Sequence, residues 1–371
     1  MRRASKEEIN PLKRGASLRS WQTRLKTLPN LLTIDRKRIR PFHETTRYGF
    51  AVGRIRVLET QLLSANRLER LVEADYEGAL NILDEVAMGD YLAKAEVARE
   101  VDSGLTAFLR DIYASMAESL PRDSCLLDFF LCRYDFHNLK SLLKASLSDR
   151  EPENLLEGLG LVDIDILRNG IQNPEMLASP YRETVTEVME REAGPQEMDT
   201  IIDRHYLQYR LYLAAREDSP FILHFARSSI DLANLKTVIR ARNLDKSREF
   251  MEYALVEGGF ISTSYFLDIY GDSPEVMTRE LEKTRYNRVL LEIMEESGEI
   301  TRLTEFDRRS DDYLMDLVRG TKRVSVGVEP IFAYVQAREN ELMLVRIILM
   351  AKLHNISPAD IEKMLRKLYI D

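Results

Sequence analysis

The chain has 371 residues but only two cysteines, 12 prolines, 16 glycines and one tryptophan. Two cysteines, Cys125 and Cys132, cannot build a disulfide framework, so a reducing compartment is the expected setting. Few prolines and glycines, alongside abundant Leu, Glu, Arg, Ala and Met, leave little to interrupt helices. No apolar run is long enough for a membrane span, because Met343–Ala351 is short and contains Arg346. The basic start has no apolar segment of signal-peptide type behind it, so any membrane link is expected to be indirect.

Phosphate-binding and catalytic patterns are also missing. Gly320-Thr321-Lys322 lacks the upstream glycine and spacing of a phosphate loop. No dinucleotide fingerprint follows a strand pattern. His43, His137, His205, His224 and His354 are scattered, with no nucleophile and acid beside any of them. Cys125, Cys132 and His137 would leave a metal short of a fourth ligand, and thiols seven residues apart suit a buried helix face. Asp311-Asp312 with Asp316 is the acidic pattern that could hold a metal and a diphosphate, but no second acidic cluster faces it. The expectation is therefore no catalytic residue, no metal and no cofactor.

Charge is unevenly placed. The whole chain carries −8, yet residues 1–47 hold thirteen Lys or Arg against four Asp or Glu, leaving −17 on the remainder. An acidic body disfavours nucleic acid as a partner. Residues 1–47 read as a basic N-terminal extension, solvated and dispensable for the fold, which could also meet an acidic partner or lipid headgroups.

Four marks then recur three times in the same order. The first is an apolar residue, a Ser or Asp, and an apolar residue four further on: Leu63-Ser64 with Leu68, Val162-Asp163 with Leu167, and Ile261-Ser262 with Phe266. This is an N-cap with its hydrophobic staple. The second is a Tyr with apolar residues four and seven later: Tyr76, Leu80, Leu83; Tyr181, Val185, Val188; Tyr286, Leu290, Ile293. Those positions share one helix face. The third is a run of helical spacing over Leu105–Met116, Ile201–Leu213 and Tyr313–Val318.

The fourth mark aligns Tyr134–Ala145, Ile230–Ala241 and Asn340–Ala351 without gaps. Its shared form runs acid, apolar, any residue, Asn or Leu, apolar, base, any residue, two apolar residues, any residue, Ala. The residues singled out are Tyr134, Asp135, Asn138 and Lys140; Asp231, Asn234 and Lys236; and Glu341 and Arg346. Acid and base five residues apart point about 140° from each other on one helix, so they do not pair within it. Two readings stay open: local contacts inside each unit, or an acid of one unit meeting a base or the backbone of the next.

The expected architecture is all-α, with three similar helical units at 48–150, 151–257 and 258–371. They would close around a pseudo-threefold axis or stack as a solenoid. Interruptions near Ser148–Asn154 and Gly258-Gly259 set the boundaries, and Thr321–Gly327 reads as a loop inside the third unit.

The run Tyr134-Asp135-Phe136-His137-Asn138-Leu139-Lys140, continued by Leu142-Leu143-Lys144-Ala145, resembles the Tyr-Asp-x-x-Asn-Leu-Lys signature of the C subunits of A/V-type rotary ATPases. Ile230–Ala241 resembles its second copy. Further likeness lies in Glu329-Pro330, Tyr334, Glu339–Lys352, Ile361–Tyr369, and the opening Tyr48–Ser64 with Arg54 and Leu58-Glu59. The resemblance covers about residues 48–371. It implies a funnel of three helical units with no catalytic residue. One end would sit on the rotor ring of proteolipid subunits that carries protons or sodium ions, and the other would receive the D and F subunits of the central stalk. Such a protein lies peripherally on the cytoplasmic side. A closed plan of three units leaves no obligatory subunit interface, so the isolated chain is expected to be a monomer. Residues 1–47 depart from the family pattern. The alternative reading is a helical-repeat scaffold that binds protein segments. It fits less well, because the repeat intervals drift from 99 and 99 residues at the first mark to 96 and 110 at the fourth.

Overall fold

A computed structural model describes residues 46–93, 95–147, 152, 155–290 and 303–370. Most of the basic extension and Ile293 of the second mark lie outside these residues. The described chain is all-α, with no strand among the described residues.

After a 3₁₀ turn at Thr46–Tyr48, the chain forms α1 (Gly49–Glu59), α2 (Ala65–Glu73), α3 (Tyr76–Asp84), the single turn α4 (Gly89–Leu92) and α5 (Ala98–Ser119). Next come α6 (Leu126–Ser146), α7 (Ile164–Gln172), α8 (Tyr181–Glu190), α9 (Pro195–Arg216), α10 (Pro220–Asn243), α11 (Arg248–Ala254) and α12 (Thr263–Tyr270). The rest is α13 (Pro274–Glu282), the single turn α14 (Asn287–Leu290), α15 (Leu303–Arg319), a 3₁₀ turn at Gly320–Arg323, α16 (Glu329–Leu353) and α17 (Pro358–Met364).

The helix starts are chemically specified. Ser64 Oγ accepts the Arg67 N–H (3.3 Å), Asp163 Oδ1 the Asp165 N–H (2.9 Å) and Ser262 Oγ the Tyr265 N–H (3.2 Å). Each fills one of the orphan donors of α2, α7 and α12. Pro195 opens α9 where a missing N–H costs nothing.

Contacts divide the chain into two compact units. The first contains 125–218 and 226–271. Its centre is the pairing of α6 with α9, and α7 and α8 pack beside them. Phe136 sits among Tyr181, Tyr206 and Tyr209, with ring centroids 5.3, 5.7 and 6.4 Å away. Buried Glu217 accepts the N–H of Cys125 and so caps the approach to α6.

The second unit contains the described residues within 46–124, 219–225 and 272–370. It is built around α16, whose Ile331, Phe332, Ala333, Tyr334 and Val335 are all buried in succession. A helix buried on every side lies at the centre of a core rather than across its surface. Accordingly α1, α3, α5, α15 and α17 all pack on it. Buried charges on α16 have partners: Ser219 Oγ donates to Glu329 Oε1 (2.8 Å), and the Tyr113 hydroxyl donates to Glu339.

Candidate functional site: three buried acids that hold helix starts

The acids of the fourth mark lie on α6, α10 and α16, and each is fully or almost fully buried. Asp135 Oδ1 accepts the backbone N–H of Val162 (3.0 Å), and Oδ2 accepts the Tyr181 hydroxyl (2.6 Å). One turn along, Asn138 clamps a single peptide position in both directions. Its Nδ2 donates to the Glu157 carbonyl (2.9 Å), and its Oδ1 accepts the Glu157 N–H (2.8 Å). Burial pushes the Asp135 carboxyl up to about 7, against the Tyr181 hydroxyl and the backbone N–H groups of Val162 and Leu161 that favour its ionised form.

The second copy repeats this geometry. Asp231 accepts the N–H groups of Phe260 (2.9 Å) and Ile261 (3.1 Å). Asn234 donates to the Val256 carbonyl and accepts the Val256 N–H, both at 2.8 Å. Arg227, one turn before the acid, donates to the Gly259 carbonyl (2.7 Å).

The third copy changes its chemistry while keeping the connection. Glu341 accepts the N–H of Leu63. The Asn position is occupied by buried Leu344, so no amide clamp is available there. Arg338 takes over instead. It pairs with Glu341 (2.6 Å) and donates to the carbonyls of Gln61 (3.2 Å) and Leu58 (3.3 Å). Burial raises the Glu341 carboxyl while the neighbouring guanidinium opposes the shift.

The first and fourth marks are therefore parts of one device. Val162, Ile261 and Leu63 each stand immediately before a capping residue, Asp163, Ser262 and Ser64. The acid fixes the peptide before the cap, and the cap starts the helix. Two connections run forward by 27 and 30 residues, and the third runs back by 278.

Two of the bases bond to acids outside the mark. Lys140 reaches Asp203 (2.6 Å), Arg346 reaches Asp102 (2.7 Å), and Lys236 is half-buried on α10. The Tyr134 hydroxyl accepts from Arg133 (2.5 Å), whose guanidinium also lies over the Tyr134 ring. Sequence reasoning missed Arg338, Arg227 and the glycines Gly160 and Gly259 beside the acids. The glycines were legible in principle, since each stands two residues before the latched peptide.

The other polar patterns are engaged locally. Asp311 pairs with Arg366 (3.3 Å), Asp312 accepts the Lys367 N–H (2.7 Å), and Asp316 pairs with Lys367 Nζ (2.7 Å). Cys125 and Cys132 are buried free thiols, and burial pushes the Cys132 thiol well up. His137 lies at the surface with a ring nitrogen 2.9 Å from the Leu155 carbonyl, whereas His205 is buried against Glu187 (2.8 Å). No group of acids, thiols and imidazoles among the described residues could hold a metal. What the arrangement does chemically is to fix backbone.

The chain is similar to known rotary-ATPase subunits over almost its whole described length. The model of the ATP synthase (C/AC39) subunit family matches residues 51–364. The C subunit of the V-type sodium ATPase of Enterococcus hirae is 25% identical over 322 residues, covering 85% of this chain and 97% of that protein. The C subunit of the A-type ATP synthase of Desulfurococcus sp. is 25% identical over 345 residues, covering 89% and 94%. That of Thermococcus onnurineus is 26% identical over 318 residues, covering 82% and 86%. A match spanning the helices that carry all three acids places the chain in one family: it belongs to the ATP synthase (C/AC39) subunit family, as a structural, non-catalytic subunit of a rotary A/V-type ATPase.

Proposed function

We propose that this protein couples the central stalk to the membrane rotor ring of an A/V-type ATPase that transports protons or sodium ions. In this reading the D and F subunits of the stalk engage one end, and the ring of proteolipid subunits engages the other. The protein lies on the cytoplasmic face and is held to the membrane through its partners. No helix among the described residues is long and apolar enough to cross a membrane.

The observation that carries the proposal is the cyclic order of the three acid connections. With units at 48–150, 151–257 and 258–371, Asp135 ties the first unit to the second, Asp231 the second to the third, and Glu341 the third back to the first. Units linked each to the next by buried acids suit a part that must transmit torque. Buried acids that fix backbone resist relative slippage in a way that exposed ion pairs do not. The test is to tag the chain in its own cells, solubilise membranes in mild detergent and identify what co-purifies. The D and F subunits and the proteolipid are expected together. Their absence from an otherwise intact preparation of the ATPase would overturn the proposal.

A further inference from the structure

One face of α1 has no partner among the described residues. Ala51, Val52 and Ile55 turn inward and are buried, while Phe50 is 76% exposed and Val57 is 64% exposed. Seven residues apart, these two side chains stand on one stripe of the helix. Gly49 and Gly53 lie along the same side, and a side chain at either would meet nothing within 4 Å. The stripe thus offers two apolar side chains beside bare backbone. Glycine at an exposed helix position weakens the helix relative to alanine. Folding of this chain does not explain the choice, but close approach of a second backbone does. The other large exposed apolar residues of this unit, Val97 and Met364, stand singly on other elements, as scattered surface residues commonly do.

The margins of the stripe are charged, and mainly basic. At 100° per residue, Arg54 borders it on one side and Arg56 on the other. Arg54 lies 3.6 Å from Glu118, so that margin carries both signs. On the other margin Arg56 pairs with Glu59 (2.7 Å) and donates to the Val324 carbonyl (2.5 Å). That second bond holds the 3₁₀ turn with exposed Lys322 and Arg323 beside α1. Three bases and one acid therefore line this edge, in a chain whose net charge is −8.

We propose that this stripe of α1 is a docking face for a helix of another subunit of the assembly. The docked helix would be small or apolar along the contact and would carry acidic residues on the edge facing Arg56, Lys322 and Arg323. The inference rests on the chain being a rotary-ATPase subunit, and it adds which surface is covered and by what chemistry. Small residues at Gly49 and Gly53 set the distance between the helices. Phe50 and Val57 supply the apolar contact, and the basic edge fixes the direction in which the partner lies.

The test uses the full chain in its assembled ATPase. Phe50→Asp and Val57→Asp are expected to leave the thermal midpoint of the isolated chain unchanged, because both side chains are in solvent. Each is expected to lower the fraction retained in the detergent-solubilised complex at least tenfold. Arg323→Glu is expected to lower retention several-fold, with the loss largest at low salt. A cysteine at position 57, treated with a short bifunctional maleimide, should cross-link to a cysteine introduced in an acid-flanked helix of a neighbouring subunit. Wild-type retention of both aspartate variants would overturn the proposal. So would cross-linking of position 57 to a second copy of the chain or to residues 1–45 of the same chain. If the wild-type chain itself did not co-purify with the ATPase, the coupling function would fail first, which keeps the two failures distinguishable.

Discussion

Asp135 and Gly160 approach so closely that a methyl group placed on Gly160 would lie 2.2 Å from Asp135 Oδ1. The second copy repeats this relationship, with a methyl group on Gly259 reaching within 2.0 Å of Asp231 Oδ1. In the third copy the equivalent position is Gln61 and the acid is Glu341, one methylene longer. The shorter acid thus faces glycine in two copies, and the longer acid goes with Gln61 in the third. Gly160→Ala and Gly259→Ala should each destabilise by about 1–3 kcal/mol through overpacking against a buried carboxyl that cannot retreat. Urea midpoints measure this, and Gly271→Ala, where the backbone is helical and a side chain's nearest neighbour is 4.0 Å away, is the control expected to change little.

Arg338 and Glu341 form an ion pair with side chains 1% and 2% exposed. Breaking such a pair leaves the other charge buried alone, which typically costs about 3–5 kcal/mol, whereas replacing both by apolar groups of similar size is often close to neutral. Arg338→Met is expected to cost the larger amount and to leave the Gln61 carbonyl without its guanidinium donor, while the Leu58 carbonyl keeps the Gln61 N–H. The double variant Arg338→Met with Glu341→Leu should recover part of that loss but not all, because the Leu63 N–H then loses its acceptor. Strict additivity of the two single changes in chemical denaturation would argue against coupling.

Capping chemistry and periodicity are local, and they were readable in the sequence. Ser64, Asp163 and Ser262 cap helices because a short polar side chain before an amphipathic run has few other uses. What the acids bind was not readable. Asp135 and Asp231 sit inside long helices, where an acid at that spacing equally suits a solvated face. Only the fold brings a peptide from 27 or 30 residues on against the carboxyl. The role of Arg338 was hidden for a related reason. It lies three residues before the aligned acid and has no counterpart at that offset, since the second copy uses Arg227 four residues before Asp231.

Glu187 on α8 gives the protein a defined response to acid. Burial would raise its carboxyl, but hydrogen bonds from His205 and Arg204 outweigh that and bring it down to about 2 from 4.5. The folded state therefore holds fewer protons at Glu187 than the unfolded chain does. Its contribution is present above the unfolded value of 4.5 and is lost as the pH falls through the folded value of about 2. Allowing for solvent screening, this amounts to about 1–2 kcal/mol. Asp135 and Asp128 have the opposite sign. Burial pushes each up to about 7 from 3.8, so each favours folding increasingly as the pH falls from 7 towards 4. Stability measured against pH should thus level or rise from 7 to 4 and then fall. Glu187→Gln should flatten only the fall below 4.5, and Asp128→Asn only part of the limb above it.

The end of the chain is strapped down by the acids that, in sequence, imitate a metal-diphosphate site. Asp312 accepts the Lys367 N–H (2.7 Å), Asn340 donates to the Lys367 carbonyl (2.9 Å), and Arg319 donates to the Leu368 carbonyl (2.7 Å). These bonds seat Leu368 and Tyr369, which are 8% and 5% exposed. Ending the chain after Met364 uncovers that apolar surface and should cost about 2–4 kcal/mol. Asp312 is buried and holds backbone, so Asp312→Ala should cost about 1–3 kcal/mol. Asp316 only pairs at the surface with the Lys367 ammonium, so Asp316→Ala should cost less than about 1 kcal/mol. A metal site would order these effects differently. Both acids would then repel each other in the empty protein, either substitution would stabilise it, and millimolar Mg²⁺ would raise the thermal midpoint of the unaltered chain. The strap predicts that Mg²⁺ leaves the midpoint where it is and that Asp312→Ala lowers it well below Asp316→Ala.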